Sequence, residues 1–208
     1  MLAAGTARVD ITPPIGIAHA GWGAQSHEGA EGVDMPLSIT ALVIEPDGNT
    51  NPSERIAILD IDTCILVGEY DIRIRKAVTE ASGIPAVSQR VSYTHTHSGP
   101  IEDLSWIVEG AEMVEPWLHS LAPASAKAVE EAISKIVPVR SDSGKGHCEI
   151  NINRRPVSQE GKVFTGRNPD GFVDHEVLVT ALDDLDGNPV ATLVNYARHP
   201  TIMGPDNK

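Results

Sequence analysis

The amino-acid sequence predicts an α/β protein built of mixed β-sheets with flanking helices. Three observations carry that class. Short apolar runs bounded by Pro, Gly and Asn turn residues recur at 5–11, 37–45, 55–64, 87–96, 177–182 and 190–197. Two other stretches, 67–82 and 111–136, space their apolar residues three and four apart, as helices do. The two kinds of segment alternate, and no internal repeat or low-complexity linker separates them, so residues 1–208 read as one domain or a portion of one.

Each element has its own local reason. Residues 5–11 alternate weakly and stop at Thr12-Pro13-Pro14, because two prolines cannot donate to a ladder. Residues 15–36 are loop-like, rich in Gly, with His19, His27 and a Trp22 set between glycines. The strand over 37–45 is closed by the turn Pro46-Asp47-Gly48-Asn49. Residues 55–64 (RIAILDIDTC) are nearly all apolar apart from Asp60 and Asp62, the pattern of a strand buried on both faces. The helix over 67–82 has Ile72, Ile74, Ala77, Val78 and Ala81 on its apolar side and Gly83 as its stop. A strand over 87–96 then runs into His95-Thr96-His97-Ser98-Gly99-Pro100. The long helical pattern over 111–136 should be interrupted near Pro116 and Pro123. Residues 137–143 and 147–153 read as a hairpin joined by Gly144-Lys145-Gly146. After a polar stretch, 177–182 and 190–197 form another pair whose link contains the Asp186-Gly187 turn signal. The last residues, 204–208, contain nothing that closes a fold and read as a cut end.

Composition removes several function classes. With 16 Lys+Arg against 29 Asp+Glu the formal charge is −13, which repels phosphate backbones and argues against a nucleic-acid partner. A neutral or zwitterionic lipid is not excluded by that charge. No apolar run reaches the roughly 18 residues of a membrane span. The start lacks the basic and apolar regions of a signal peptide, which leaves cytoplasmic and secreted locations both open. Cys64 and Cys148 have no CxxC spacing and are expected to be buried free thiols. There is no GxSxG elbow, P-loop or HExxH.

The residues that could do chemistry stand where strands hand over to loops. His95 and His97 are two apart at a strand end, where side chains at i and i+2 share a face. They could offer two imidazoles to one metal, or be two hydrogen-bonded structural histidines. His199 follows an apolar strand and precedes Pro200; it is a ligand candidate or a strand-end histidine meeting water. Asp60 could orient a metal-ligating histidine or cap its strand, and Asp62 reads as a cap. Arg154 could clamp a carboxylate or an oxyanion, while Arg155 reads as a surface residue. Asp170, Asp174, His175 and Glu176 make a polar cluster, and Asp183, Asp184 and Asp186 an acidic turn. Trp106 and Trp117 read as packing residues.

Five segments together resemble the neutral/alkaline, non-lysosomal ceramidase family. Gly5 to Pro13 is similar to its opening strand, and Ala57 to Ile61 to its apolar strand with an Asp. Thr94-His95-Thr96-His97-Ser98-Gly99-Pro100 matches its T-H-T-H-S-G-P motif residue for residue. Asn153-Arg154 and Asn195-Tyr196-Ala197-Arg198-His199-Pro200-Thr201 match its N-R segment and its strand ending in H-P-T. After Pro100 the family's Gly-Gly is replaced by Ile101-Glu102, which should reshape the pocket loop. The resemblance implies the N-terminal part of a zinc hydrolase catalytic domain, acting on the linear amide of a lipid such as ceramide in sphingolipid metabolism. It implies His95 and His199 as zinc ligands, and His97 and Arg154 as residues facing the substrate or the developing oxyanion. It also implies that a Glu and a Tyr from a missing C-terminal part complete the ligand set. Two other readings remain: a catalytically incomplete binding or structural module, and a zinc hydrolase of non-lipid amides or esters.

Overall fold

The described residues of the computed structural model are 1–19, 21–22, 25–102, 109–201 and 204–205. Their strands are β1 (Leu2–Asp10), β2 (Ser38–Pro46), β3 (Ile56–Ile61), β4 (Gln89–Tyr93), β5 (Val137–His147), β6 (Glu176–Asp184) and β7 (Pro189–Tyr196). Their α-helices are α1 (Glu69–Ser82) and α2 (Val114–Ile133). All seven strands form one sheet in the order β4-β3-β2-β1-β5-β6-β7. Only the β3–β4 pair is parallel, as a strand-helix-strand crossover through α1 requires, so the sheet is mixed, as predicted.

Both helices cover one face of the β1–β4 half. Ala7, Ile39, Ala41, Val43, Ala57, Leu59 and Ile61 meet Ile74 and Val78 of α1 and Trp117, Leu121, Ala128 and Val129 of α2 in one core. Each large side chain fully buried there contributes about 1.5–3 kcal/mol. Close approach is enforced at Gly5, where an added Cβ would lie 2.2 Å from the Ala132 carbonyl oxygen of α2. The opposite face is open. β3 is therefore not buried on both faces: Ala57, Leu59 and Ile61 are buried, but Ile56 and Asp60 are exposed on the other side. The β5–β7 half curls over that open side, where Thr6 Oγ1 donates to the Val190 carbonyl and Leu42, Val139 and Leu182 make a second, smaller core.

Two local expectations are corrected. α2 runs unbroken through Pro123. Pro116 lies in the first turn, where no intrahelical N–H bond is owed. Pro123 forfeits the bond to the exposed His119, and burial of Trp117, Leu118, Leu121 and Ala128 outweighs the loss. Residues 137–153 are not a hairpin: β5 continues through Gly144-Lys145-Gly146 and pairs with β6. Neither glycine takes the positive φ of a tight hairpin turn. Cross-strand contacts hold the register instead, Ser143 Oγ with Thr180 Oγ1 at 2.9 Å and Lys145 with Glu176 at 3.0 Å. The expected helix stop at Gly83 is present, with φ 73° and its N–H bonded to Thr79.

Candidate metal centre

The first arm of the site grows from the parallel strands β3 and β4. The chain after β4 stays tied to the chain after β3, through Thr94 N–H to the Ile61 carbonyl and His95 N–H to the Thr63 carbonyl, both 3.0 Å. His95 then takes φ 58°, the one left-handed non-glycine residue among those described. The HxH pair thus lies past the strand end, and a turn rather than strand pleating aims its two rings. The His95 and His97 ring centroids are 5.1 Å apart.

Backbone carbonyls set the tautomer of both. His95 Nδ1 lies 2.9 Å from the Cys64 carbonyl oxygen. A carbonyl can only accept, so Nδ1 carries the proton and Nε2 keeps its lone pair. His97 Nδ1 donates in the same way to the Gly21 carbonyl, leaving its Nε2 as an acceptor. The Trp22 ring flanks His97 at 4.9 Å.

The second arm comes from β7, at the opposite edge of the sheet. Its end is pinned by Tyr196, whose hydroxyl donates to the Cys148 carbonyl at 2.8 Å. The nearly buried Asn151 adds a bond from Nδ2 to the Ala197 carbonyl at 2.8 Å and itself pairs with His175 at 2.7 Å. Three residues past β7, the His199 ring sits 4.8 Å from both the His95 and His97 rings. His199 Nε2 and His97 Nε2 are 2.8 Å apart; His97 accepts there, so His199 donates. Burial, then the positive charge of Arg154, push the His199 pKa below its ordinary 6.5, so the ring is neutral at neutral pH.

The arrangement can hold a cation. Cys64 Sγ and one nitrogen each of His95 and His97 lie within 4.8 Å of one another, and His199 joins through His97. Imidazoles with a thiol form a donor set that suits zinc. The sequence-predicted residues His95, His97 and His199 therefore meet, with Arg154 near enough to act on His199. Asp60 does not join them: strand alternation puts it on the open sheet face, in a concavity it lines with Arg8 and Arg90. The partner orienting His95 is a carbonyl. Asp62 is a cap, accepting from Ser38 N–H at 2.9 Å and Ser38 Oγ–H at 3.0 Å. His175 serves β7 through Asn151, and the acidic turn binds its own backbone, Asp184 accepting from Asp186 and Asn188 N–H. Trp117 is buried and donates to the Ile11 carbonyl, whereas Trp106 lies outside the described residues. Both thiols are free but only half-buried.

Behind the histidine loop, Thr96, Ser98 and Gly99 wall an apolar cavity of about 260 Å³ with Ile15, Ile17 and Leu37. Sequence reasoning missed Gly21, which offers a main-chain oxygen, and Cys64, which offers both a main-chain oxygen and a thiol to the site. The signal for the loop was its two histidines and Trp22 among glycines.

Fold and side chains together define a mixed-sheet α/β protein with a metal-competent histidine centre. Its relatives in sequence and fold are neutral ceramidases, as the T-H-T-H-S-G-P segment leads one to expect. The chain is 25% identical to neutral ceramidase A of Dictyostelium discoideum over 98% of its own length and 29% of that protein. It is 24% identical to neutral ceramidase B of the same organism over 77% of its length and 23% of that protein. Among solved structures, neutral ceramidase from Pseudomonas aeruginosa superposes with a TM-score of 0.73 at 19% identity, covering 99% of this chain and 33% of that one. A ceramidase complexed with C2 gives the same TM-score at 20% identity, over 99% of this chain and 32% of that one. The chain thus spans a third or less of the length of these relatives. No protein-family model matches it. No helix among the described residues is long and apolar enough to cross a membrane.

Proposed function

We propose that this chain carries part of the active centre of a zinc-dependent amide hydrolase of the ceramidase type, cleaving the linear amide of a lipid-like substrate such as ceramide to sphingosine and a fatty acid. The observation that supports it most is the convergence of three imidazoles from the two opposite edges of one sheet, in a relative of neutral ceramidases. On this reading residues 1–208 are the N-terminal portion of the catalytic domain, and further ligands come from another segment.

His95 and His199 are the proposed zinc ligands, with the Cys64 thiol within reach of the same centre. A zinc ion held there would lower the pKa of a water towards ~7 and polarise an amide carbonyl. His97 has its Nδ1–H committed to Gly21, so its Nε2, which accepts from His199 here, is the nitrogen that would take a proton from an attacking water and return it to the leaving amine once His199 turns to the metal. Arg154 would place positive charge where the carbonyl oxygen becomes negative. The apolar cavity beside Thr96 and Ser98 suits an aliphatic chain, which favours a lipid-like amide over a fully polar one.

Zinc content of the purified chain and of His95→Ala and His199→Ala tests the ligand assignment. Each variant is expected to lose zinc, and unchanged stoichiometry in both would sink it. Fatty-acid release from ceramide compared with short N-acyl amides tests the substrate class; faster release from the short amides would move the reading to non-lipid substrates.

A further inference from the structure

We propose that His19 is a positioning residue for His97: a buried imidazole that donates from Nε2 to the His97 main-chain carbonyl and so fixes the direction in which the histidine loop presents the His97 side chain. This rests on the reading of His95, His97 and His199 as one centre.

The bonds are directional. His19 is 3% exposed, and its Nε2 lies 3.2 Å from the His97 carbonyl oxygen. That oxygen can only accept, so Nε2 carries the proton and Nδ1 keeps a lone pair. The lone pair faces His27 Nε2 at 3.3 Å, which must therefore donate. His27 Nδ1 is left as a buried acceptor without a hydrogen-bond partner among the described residues. One pair of tautomers satisfies this row. Burial, which pushes the His19 pKa below 6.5, agrees with it.

The same segment grips His97 a second time. Two residues after His19, the Gly21 carbonyl accepts from His97 Nδ1. Main chain and side chain of one residue are thus held from two points of one loop. Room for this depends on glycine, since a Cβ at Gly21 would lie 2.0 Å from the His97 carbonyl oxygen. Gln25 closes the loop on itself by donating from Nε2 to the His19 and His27 carbonyls. A histidine that only filled the core would not need its polar atom on the loop that carries the site. The main-chain oxygen between His97 and Ser98 sets the peptide plane there, so losing its donor frees the plane and the ring it aims.

The test compares His19→Leu, similar in size but without a donor, with His19→Gln, which keeps one. Two readouts are taken: zinc affinity by chelator competition, and the His97 tautomer from long-range ¹H–¹⁵N spectra of the zinc-free chain. His19→Leu is expected to lose the single Nδ1–H signature of His97 and, because His97 shares its loop with the proposed ligand His95, to bind zinc more weakly; His19→Gln should restore most of both. A folded His19→Leu with parental affinity and an unchanged His97 spectrum overturns the proposal, as does a variant that loses thermal stability alone. Should His19→Leu fail to fold, His27→Phe, which releases the His19 tautomer, decides by the same spectrum. If the parent takes up no zinc, the metal reading fails, while the His97 spectrum still decides the positioning role.

Discussion

At the scale of single residues, the centre is governed by which nitrogen of each ring is already engaged. His95 and His97 both commit Nδ1 to a backbone carbonyl, which leaves the Nε2 lone pair of each as the acceptor. His199 donates from Nε2 to His97 Nε2, and a cation at that nitrogen requires the other His199 tautomer; acid, which protonates the rings, should therefore weaken metal uptake. The sign follows from the His199 pKa, which burial and then Arg154 push below 6.5. A lowered pKa keeps the ring unprotonated to lower pH. The His199 contribution to zinc retention should therefore be lost only at a pH lower than an unshifted histidine would set. Removing the nearby positive charge in Arg154→Gln should move the loss to higher pH. An equilibrium-dialysis profile of zinc against pH checks this; a midpoint unmoved or moved down in Arg154→Gln would refute the electrostatic link.

At the scale of elements, the sequence patterns predict the structure where period and punctuation agree. α1 and its glycine stop, and the β6–β7 pair with its Asp-Gly turn, lie where spacing put them. They failed where packing or a distant partner overrode a local signal. Gly144-Lys145-Gly146 looks like a turn, but β6 offers that stretch a full ladder. Pro123 looks like a break, but α2 has too much apolar area against the sheet to stop there. Its cost should still be measurable. A helix-interior proline is worth about 3 kcal/mol against alanine, and the looser unfolded chain takes back about 1 kcal/mol. Pro123 is solvent-exposed, so alanine should fit without clash. Pro123→Ala is expected to raise stability by about 2 kcal/mol. Calorimetry giving an equal or lower Tm would mean the helix is already relaxed around the proline.

At the scale of the whole molecule, one sheet carries helices on one face and curls its β5–β7 half over the other. The concavity enclosed there measures about 1160 Å³ and is lined by Arg8, Asp60, Arg90 and Leu193 among others. The net charge of −13 acts on the molecule as a whole, because self-repulsion opposes the compact state. Screening begins within about 10 Å at 0.1 M salt, so Tm should rise as sodium chloride is added from low ionic strength. A Tm that falls or stays flat would show that local ion pairs such as Arg55–Glu45, 2.6 Å apart, outweigh the net charge.

The sequence by itself determined the α/β class, most strand and helix positions, the T-H-T-H-S-G-P loop and three of the histidines at issue. Those follow from period, turn residues and a contiguous motif, all of which are local. Tertiary structure alone decided that the segments following β4 and β7, the two edges of the sheet, come together, and that His199 comes to 2.8 Å from His97 across 102 residues of chain. It also decided the tautomers. These depend on the carbonyls of Cys64 and Gly21, and a main-chain oxygen has no signature in a sequence.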